Sequence, residues 1–302
     1  MHLLKNILFL MCVSIILFSC GDDAPKNTDT LGKGTIDISV DETYQPVIDE
    51  QLKVFDSSYP DAKINIHYKP EAECFKDYFD NKARIIVVAR PLTKAEKDEC
   101  TQQKIYVTSM AIARDAIAVI VNNNSADSFL DKNVLKGILT GVYKTKYTVV
   151  FDNEASSTVR YVIDSLLKGN KLGSNVFAAK GNKEVVDYVA KNPGAIGFVG
   201  LNYVSDKNDP NNTGTFITTV KVAAIKNDST GDFLQPYQAY LALKTYPLYR
   251  NIYYINRESY PGLGTGFANF LAEQRGQLIF KYAHMFPLRS EMIIRGAEIK
   301  NQ

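Results

Sequence analysis

Residues 34–96 read GTIDISVDETYQPVIDEQLKVFDSSYPDAKINIHYKPEAECFKDYFDNKARIIVVARPLTKAE, and this stretch decides the fold. Ile36 to Val40 predicts a strand, after which Val47, Ile48, Leu52 and Phe55 recur at helical spacing. Ile64 to Tyr68 is a second strand and leads to a helix near Glu71 to Asp80. Ile85 to Ala89 is a third. Beyond Arg90-Pro91-Leu92, Thr93 and Glu96 form a capping box, which starts another helix. Strand and helix alternating in this way predict a parallel sheet covered by helices on both faces.

Toward the C-terminus, the apolar run Asp115 to Val121 ends at Asn122-Asn123-Asn124. The same rhythm then restarts: a helix near Val134 to Leu139, a strand at Thr148 to Phe151, a helix from Thr158 to Leu167 and another near Lys183 to Lys191. Asn192-Pro193-Gly194 ends that helix and opens the strand Ala195 to Val199. Asp206 to Gly214 reads as a surface loop. Val220 to Ile225, Tyr237 to Leu243 and Ile252 to Ile255 are strand-like, and Phe267 to Tyr282 is a closing amphipathic helix. One open sheet would need more strands than is usual, so two α/β units are expected.

Toward the N-terminus, Lys5 precedes the apolar run Ile7 to Phe18, which is too short to span a bilayer and reads as the core of a signal peptide, residues 1–19. Leu17-Phe18-Ser19-Cys20 resembles a bacterial lipobox, so Cys20 is the expected lipidation site. Gly21 to Lys33 has one large apolar residue, Leu31, and too little surface to bury; with Cys20 it is expected to form a flexible tether, residues 20–33. Asp22-Asp23 within it reads as a solvated part of that tether, although it also looks like a sorting signal of some surface lipoproteins.

Composition narrows the function. Lys plus Arg (35) against Asp plus Glu (33) leaves a formal charge of +2, so no net field draws nucleic acid or anionic lipid, and any anion must be held locally. Three His and four Cys make a multi-ligand metal or haem site improbable, and no cofactor is expected. Cys74 and Cys100 read as buried thiols, with a disulfide as the other reading. Gly262-Leu263-Gly264-Thr265-Gly266 lacks nucleotide-loop spacing and reads as a flexible turn. His67, in a strand pattern, reads as structural, and no nucleophile elbow is present.

In open parallel sheets ligands collect beyond the carboxyl ends of the strands, where helix N-termini offer free amides. Here the chain places Thr43 and Tyr44 after the first strand, Lys69 after the second, Ala89 and Arg90 after the third, and Ser156, Ser157 and Thr158 after Phe151, with Arg160 close behind. Three successive hydroxyl residues can each offer a hydroxyl and an amide to one tetrahedral oxyanion. The plainer reading is that one of them merely caps the helix.

Ala89-Arg90-Pro91-Leu92, then Arg114-Asp115-Ala116-Ile117-Ala118-Val119-Ile120-Val121-Asn122, then Ser156-Ser157-Thr158, then Asn192-Pro193-Gly194-Ala195-Ile196-Gly197-Phe198-Val199-Gly200 occur in the order found in periplasmic phosphate-binding proteins of ABC importers. The chain resembles that family from about Thr35 to Phe286, with Tyr246-Pro247-Leu248-Tyr249-Arg250 where its returning crossover lies. The resemblance implies a two-lobed type II periplasmic-binding-protein fold, each lobe a mostly parallel sheet flanked by helices. Residues 34–115 with 250–302 would form one lobe and 116–249 the other. It also implies an oxyanion site at Thr43, Tyr44, Lys69, Ala89, Arg90, Ser156, Ser157 and Thr158.

One departure concerns charge: Asp152 stands where that family has an Arg four residues before its first Ser. An Asp that accepts a proton from the ligand would select phosphate over sulfate, a role open to Asp152 or Asp41, with Arg90 or Arg160 as the bidentate cation. The rival reading pairs Asp152 with an Arg as a structural bridge. The expected function is therefore a non-enzymatic, lipid-anchored monomer of the cell envelope that captures phosphate or a related oxyanion for an ABC permease by hinge closure. Its membrane contact would be through the lipid alone. An envelope binding or sensor module with another ligand or a protein partner is the second reading, and a phosphate-ester hydrolase the third.

Overall fold

The computed structural model describes residues 29–206 and 214–290. The signal peptide, Cys20 and most of the expected tether lie outside these, as does 207–213 within the expected loop. The elements run β1 (Gly34–Asp41), α1 (Gln45–Ser58), β2 (Ala62–Lys69), α2 (Glu71–Phe79), β3 (Ile85–Val88), α3 (Lys94–Gln102), β4 (Thr108–Val121), β5 (Phe129–Leu130), α4 (Lys132–Leu139), β6 (Thr148–Phe151), α5 (Ser157–Tyr161), β7 (Val176–Ala178), α6 (Asn182–Lys191) and β8 (Ala195–Gly200). They continue with β9 (Lys221–Val222), β10 (Ala224–Lys226), β11 (Phe233–Leu234), α7 (Gln238–Ala242), β12 (Tyr249–Asn256), α8 (Leu263–Ala272), α9 (Gln274–Tyr282) and β13 (Phe286–Pro287).

One sheet path carries the order β2-β1-β3-β12-β4-β8-β6-β7. Its two ends are parallel: β1 pairs with β2 and β3, and β6 with β7 and β8. They are joined through the antiparallel neighbours β12 and β4, the latter a strand of 14 residues that runs from one end into the other. Each parallel end has its own apolar core, and the β1–β3 end has a further cluster on its other face, where Cys74, Phe75, Tyr78, Ile86, Val88 and Cys100 pack. One gathers Ile36 to Ala113 and Ile252 to Met285, with Phe55 set edge-on to Phe267 and Phe270 at 5.3 and 5.4 Å. The other gathers Ala116 to Leu248. The two cores part between Ala113 and Ala116 on β4 and between Leu248 and Ile252 on β12.

Four details differ from the sequence reading. Tyr237 to Leu243 forms the helix α7 instead of a strand, since Gln238, Ala239, Leu241 and Ala242 are good helix formers. The closing helix is two helices, broken where Glu273 turns extended (φ −88°, ψ 172°). Gly262 to Gly266 is the buried start of α8; a Cβ on Gly266 would lie 1.8 Å from the Leu31 carbonyl oxygen, so only glycine admits that backbone. Last, the chain is already anchored at Asp29, which is buried and takes two guanidinium hydrogen bonds from Arg84 (2.8 and 3.1 Å), the Leu263 amide (2.8 Å) and the Tyr260 hydroxyl (2.8 Å). An acidic side chain that sequence assigns to solvent thus ties the chain to α8.

Candidate functional site

The carboxyl ends of β1, β3 and β6 and the crossing of β4 with β12 face one another between the two cores. Asp41 ends β1, and its Oδ1 accepts the Thr43 amide (3.0 Å), turning the chain through Glu42–Tyr44 into α1. That turn buries Asp41, Thr43 and Tyr44 completely. From the other half, Ser156 caps the helix that begins at Ser157 by accepting the Val159 amide (3.2 Å), so the plainer reading holds for Ser156. Ser157 and Thr158 are free of that duty and fully buried.

Between these two groups lies Arg250, which the sequence reading did not single out. Antiparallel register sets it opposite Asp115, with Nε 3.1 Å and Nη2 3.0 Å from Oδ2. Its Nη1 donates to the Ser157 hydroxyl (2.9 Å), and its guanidinium lies 5.3 Å from the centre of the Tyr44 ring. Asp41 Oδ2, Thr43 Oγ1, Tyr44 OH and Thr158 Oγ1 are buried with no hydrogen-bond partner in the protein. Buried polar atoms are rarely left so, because each loses its water without replacement. Four of them, on the turn and the helix that meet at Arg250, mark a polar socket between the halves.

The remaining expected residues have other duties. Arg90 makes a two-pronged pair with Glu96 (2.7 and 2.8 Å) and lies 3.7 Å over the Phe75 ring, which fixes the start of α3. Arg160 grips Glu71 through Nε (2.5 Å) and Nη2 (3.3 Å), and the same carboxylate accepts the Ala89 amide (2.8 Å). Glu71 belongs to one half and Arg160 to the other, so this pair crosses the boundary. Lys69 is held by Asp77 (2.6 Å). None of these cations turns its charge to the socket.

Asp152 is fully buried beside the socket, and neither Arg90 nor Arg160 pairs with it. Its oxygens accept the Asn153 amide and the Asn182 Nδ2 (both 3.0 Å), and Asn182 accepts the Gly200 amide (2.9 Å). The rival bridge to an arginine gives way to an amide-bonded carboxyl that locks α6 to β6 and β8. Burial pushes the carboxyls of Asp41 and Asp152 above the usual range, with Arg250 pulling the other way in each case.

Two grooves border the group. One, of about 660 Å³, is lined by Glu42, Asp49, Lys180, Asn182 and Tyr203, and the Tyr203 hydroxyl bridges it to the Glu42 carbonyl (3.0 Å). The other, of about 310 Å³, is lined by Glu71, Phe75, Arg90, Ser156 and Arg160. Burial also pushes the Glu42 carboxyl up to about 7, helped by the charges of Asp152 and Asp41. Cys74 and Cys100 are free buried thiols. Among the described residues, no group of three or more His, Cys, Asp or Glu is placed to hold a metal ion, and no helix is long and apolar enough to cross a membrane.

Arg250 and Asp115 were missed because no local pattern marks them. The only trace is a charge at the head of an apolar strand, Asp115 before Ala116–Val121, matched by an arginine at the head of Ile252–Ile255.

A family model for the PBP superfamily domain matches residues 25–275. Among curated proteins, the chain is 22% identical to the phosphate-binding protein PstS of Bacillus subtilis (strain 168) over 253 residues, 76% of this chain and 80% of the relative. It is likewise 22% identical over 254 residues to the protein SphX of Synechococcus elongatus, 78% of this chain and 72% of the relative. Among solved structures, a candidate phosphate ABC transporter substrate-binding protein from Clostridium perfringens, with phosphate bound, matches with a TM-score of 0.71 at 21% identity, over 84% of this chain and all (100%) of that one. An ABC-type phosphate transport receptor from Vibrio cholerae matches with a TM-score of 0.65 at 17% identity, over 83% and 99%. These structural likenesses establish the fold.

Proposed function

Because the chain belongs to the periplasmic-binding-protein (PBP) superfamily, we propose that it is the substrate-binding component of an ABC importer, capturing phosphate or a closely related oxyanion outside the cytoplasm. One observation carries this reading: Thr43, Tyr44 and Thr158 carry buried, unpartnered hydroxyls on the turn and the helix that meet at Arg250 between the halves. A tetrahedral oxyanion offers acceptors in several directions at once, which is what hydroxyl donors and a guanidinium from different elements require. The names of the curated relatives and of the solved structures supply the same ligand class.

In this reading residues 34–115 with 250–302 form one lobe and 116–249 the other. The pieces of β4 and β12 between the cores act as the hinge, and closure brings Ser157 and Thr158 against Thr43 and Tyr44. Ligand stabilises the closed form because only there do both lobes reach it. Lipid on Cys20 would hold the protein at the membrane, and the segment before Asp29 would serve as its tether. Nothing in this work is catalytic: the socket binds and releases. A permease is the partner that receives the ligand.

Calorimetric titration of the Cys20→Ser chain with phosphate, sulfate and methylphosphonate tests the reading. Binding of phosphate with one site per chain supports it. The absence of heat with any oxyanion, together with unchanged melting temperature, would dismiss it.

A further inference from the structure

We propose that the protein holds a second ligand site, apart from the socket, for a small neutral molecule whose apolar body carries one lactam or other cis-amide edge. The site is a cavity of about 380 Å³ where α1 and α9 meet the turn Leu201–Tyr203 that follows β8, so its walls come from both halves. Small organic guests occupy cavities of this size that are mostly apolar and carry a few polar groups. This site does not depend on the oxyanion reading.

One residue carries the inference. Asn202, on that turn, lines the cavity and is only 5% exposed, yet both its Oδ1 and its Nδ2 lack a hydrogen-bond partner in the protein. A buried amide with neither atom paired is rare, because it has given up water without replacement. Ser205 and Glu50, also on the lining, are engaged already: the Ser205 hydroxyl donates to the Leu201 carbonyl (3.0 Å) and the Glu50 carboxylate accepts from Lys53 (2.9 Å). Around them Val47, Val54, Ile279 and Ala283 supply aliphatic wall. The cavity thus offers apolar surface and, at one point, an unmet donor beside an unmet acceptor.

Hydrogen-bond pairing then selects the guest. A carboxylate only accepts and an ammonium only donates, so either leaves one atom of Asn202 unanswered, and a carboxylate would also meet Glu50 as a like charge. A trans amide turns its N–H and its C=O in opposite directions. A lactam sets both on one edge and answers Nδ2 and Oδ1 together, while its ring replaces water against the aliphatic side chains. The amide lies close behind the socket, since a Cβ on Gly200 would be 2.5 Å from Thr43 Cγ2 and 3.1 Å from Asn202 Oδ1. Phosphate binding therefore serves as the control that tells the two sites apart.

Methyl NMR of the Cys20→Ser chain, labelled at isoleucine and valine and titrated with oxindole and with N-methyloxindole, tests the proposal. The Val47, Val54 and Ile279 signals should shift saturably with oxindole, and N-methyloxindole, which accepts but cannot donate, should bind about tenfold more weakly or worse. In Asn202→Leu, which keeps the bulk without the amide, the preference between the two probes should vanish, with no fall in melting temperature and unchanged heat of phosphate binding. No shift at those three residues, or equal affinity of the two probes for the chain with Asn202 intact, overturns the proposal. A lower melting temperature of Asn202→Leu without probe would make the amide structural, and loss of phosphate binding would assign it to the socket; either overturns the proposal too. So does movement of the same methyl signals on removal of residues 291–302 alone, which would make the chain's own end the occupant. Failure of the chain with Asn202 intact to bind phosphate dismisses the oxyanion reading and leaves this site standing.

Discussion

Arg250 on β12 and Asp115 on β4 face each other where the two crossover strands meet, Nε to Oδ2 at 3.1 Å, both all but closed to water. The pair links the crossing of the two strands to the socket, because the same guanidinium that answers Asp115 reaches Ser157 in the other half. Removing one member of a buried pair leaves a bare charge in a dry site, at about 3 to 5 kcal/mol. Arg250→Met should therefore lower the urea midpoint by a corresponding amount and abolish oxyanion binding. Arg250→Met with Asp115→Leu should recover most of the stability and none of the binding, as chemical denaturation and calorimetry on the same samples would reveal.

Thr158 separates binding from folding. Its hydroxyl is buried without a partner, so Thr158→Val removes no bond of the folded chain and keeps the shape. The melting temperature should stay or rise slightly. A hydrogen bond to a charged guest contributes about 1.5 to 3 kcal/mol, so phosphate affinity should fall roughly ten- to a hundredfold. Unchanged affinity would move the socket away from Thr158.

Asp29 gives a pH-dependent contribution to stability. Burial opposes its charge, but Arg84, the Leu263 amide and Tyr260 prevail and hold its carboxyl down to about 2, below the ordinary 3.8. A carboxyl lowered by folding stabilises the folded chain above its unfolded pKa, and this is lost as the pH falls through the folded one. Asp29→Asn should accordingly lower the melting temperature at neutral pH, with the difference from the unaltered chain closing between roughly pH 4 and pH 2. A difference that persists undiminished in acid would mean that the carboxylate charge is not what holds the segment.

The alternation of strand and helix was legible because its signals are local: β-branched runs, helical spacing, and the Thr93–Glu96 capping box that α3 displays. The hydroxyl groups at Thr43, Ser157 and Thr158 were legible for the same reason, since each follows a strand. The cations were not. Arg90 has its partner six residues on, within the helix start it stabilises, whereas Arg160 finds Glu71 across 89 positions and Arg250 finds Asp115 across 135. Charge pairing over such separations depends on strand order, and nothing at either residue records it. The helix α7 was misread for a different reason: Tyr237, Tyr240 and the leucines give a strand-like apolar texture to a segment too short to show a helical period.

Glu71 and Arg160 offer a test of the proposed closure. The carboxylate sits buried in one half and the guanidinium, partly open to solvent, reaches it from the other, so the pair exists only while the halves are together. In the proposed opening Arg160 would return to water and Glu71 would keep the Ala89 amide alone. Glu71→Gln keeps the amide contact and removes the charge attraction, which should favour the open form. Phosphate should then leave several times faster with its association rate little altered, because most affinity changes within one interface reside in dissociation. Stopped-flow release and small-angle scattering of the unliganded chain would report it together: faster release with a larger radius of gyration is expected. Equal release rates with an unaltered radius would show that the cross-boundary pair takes no part in holding the halves closed.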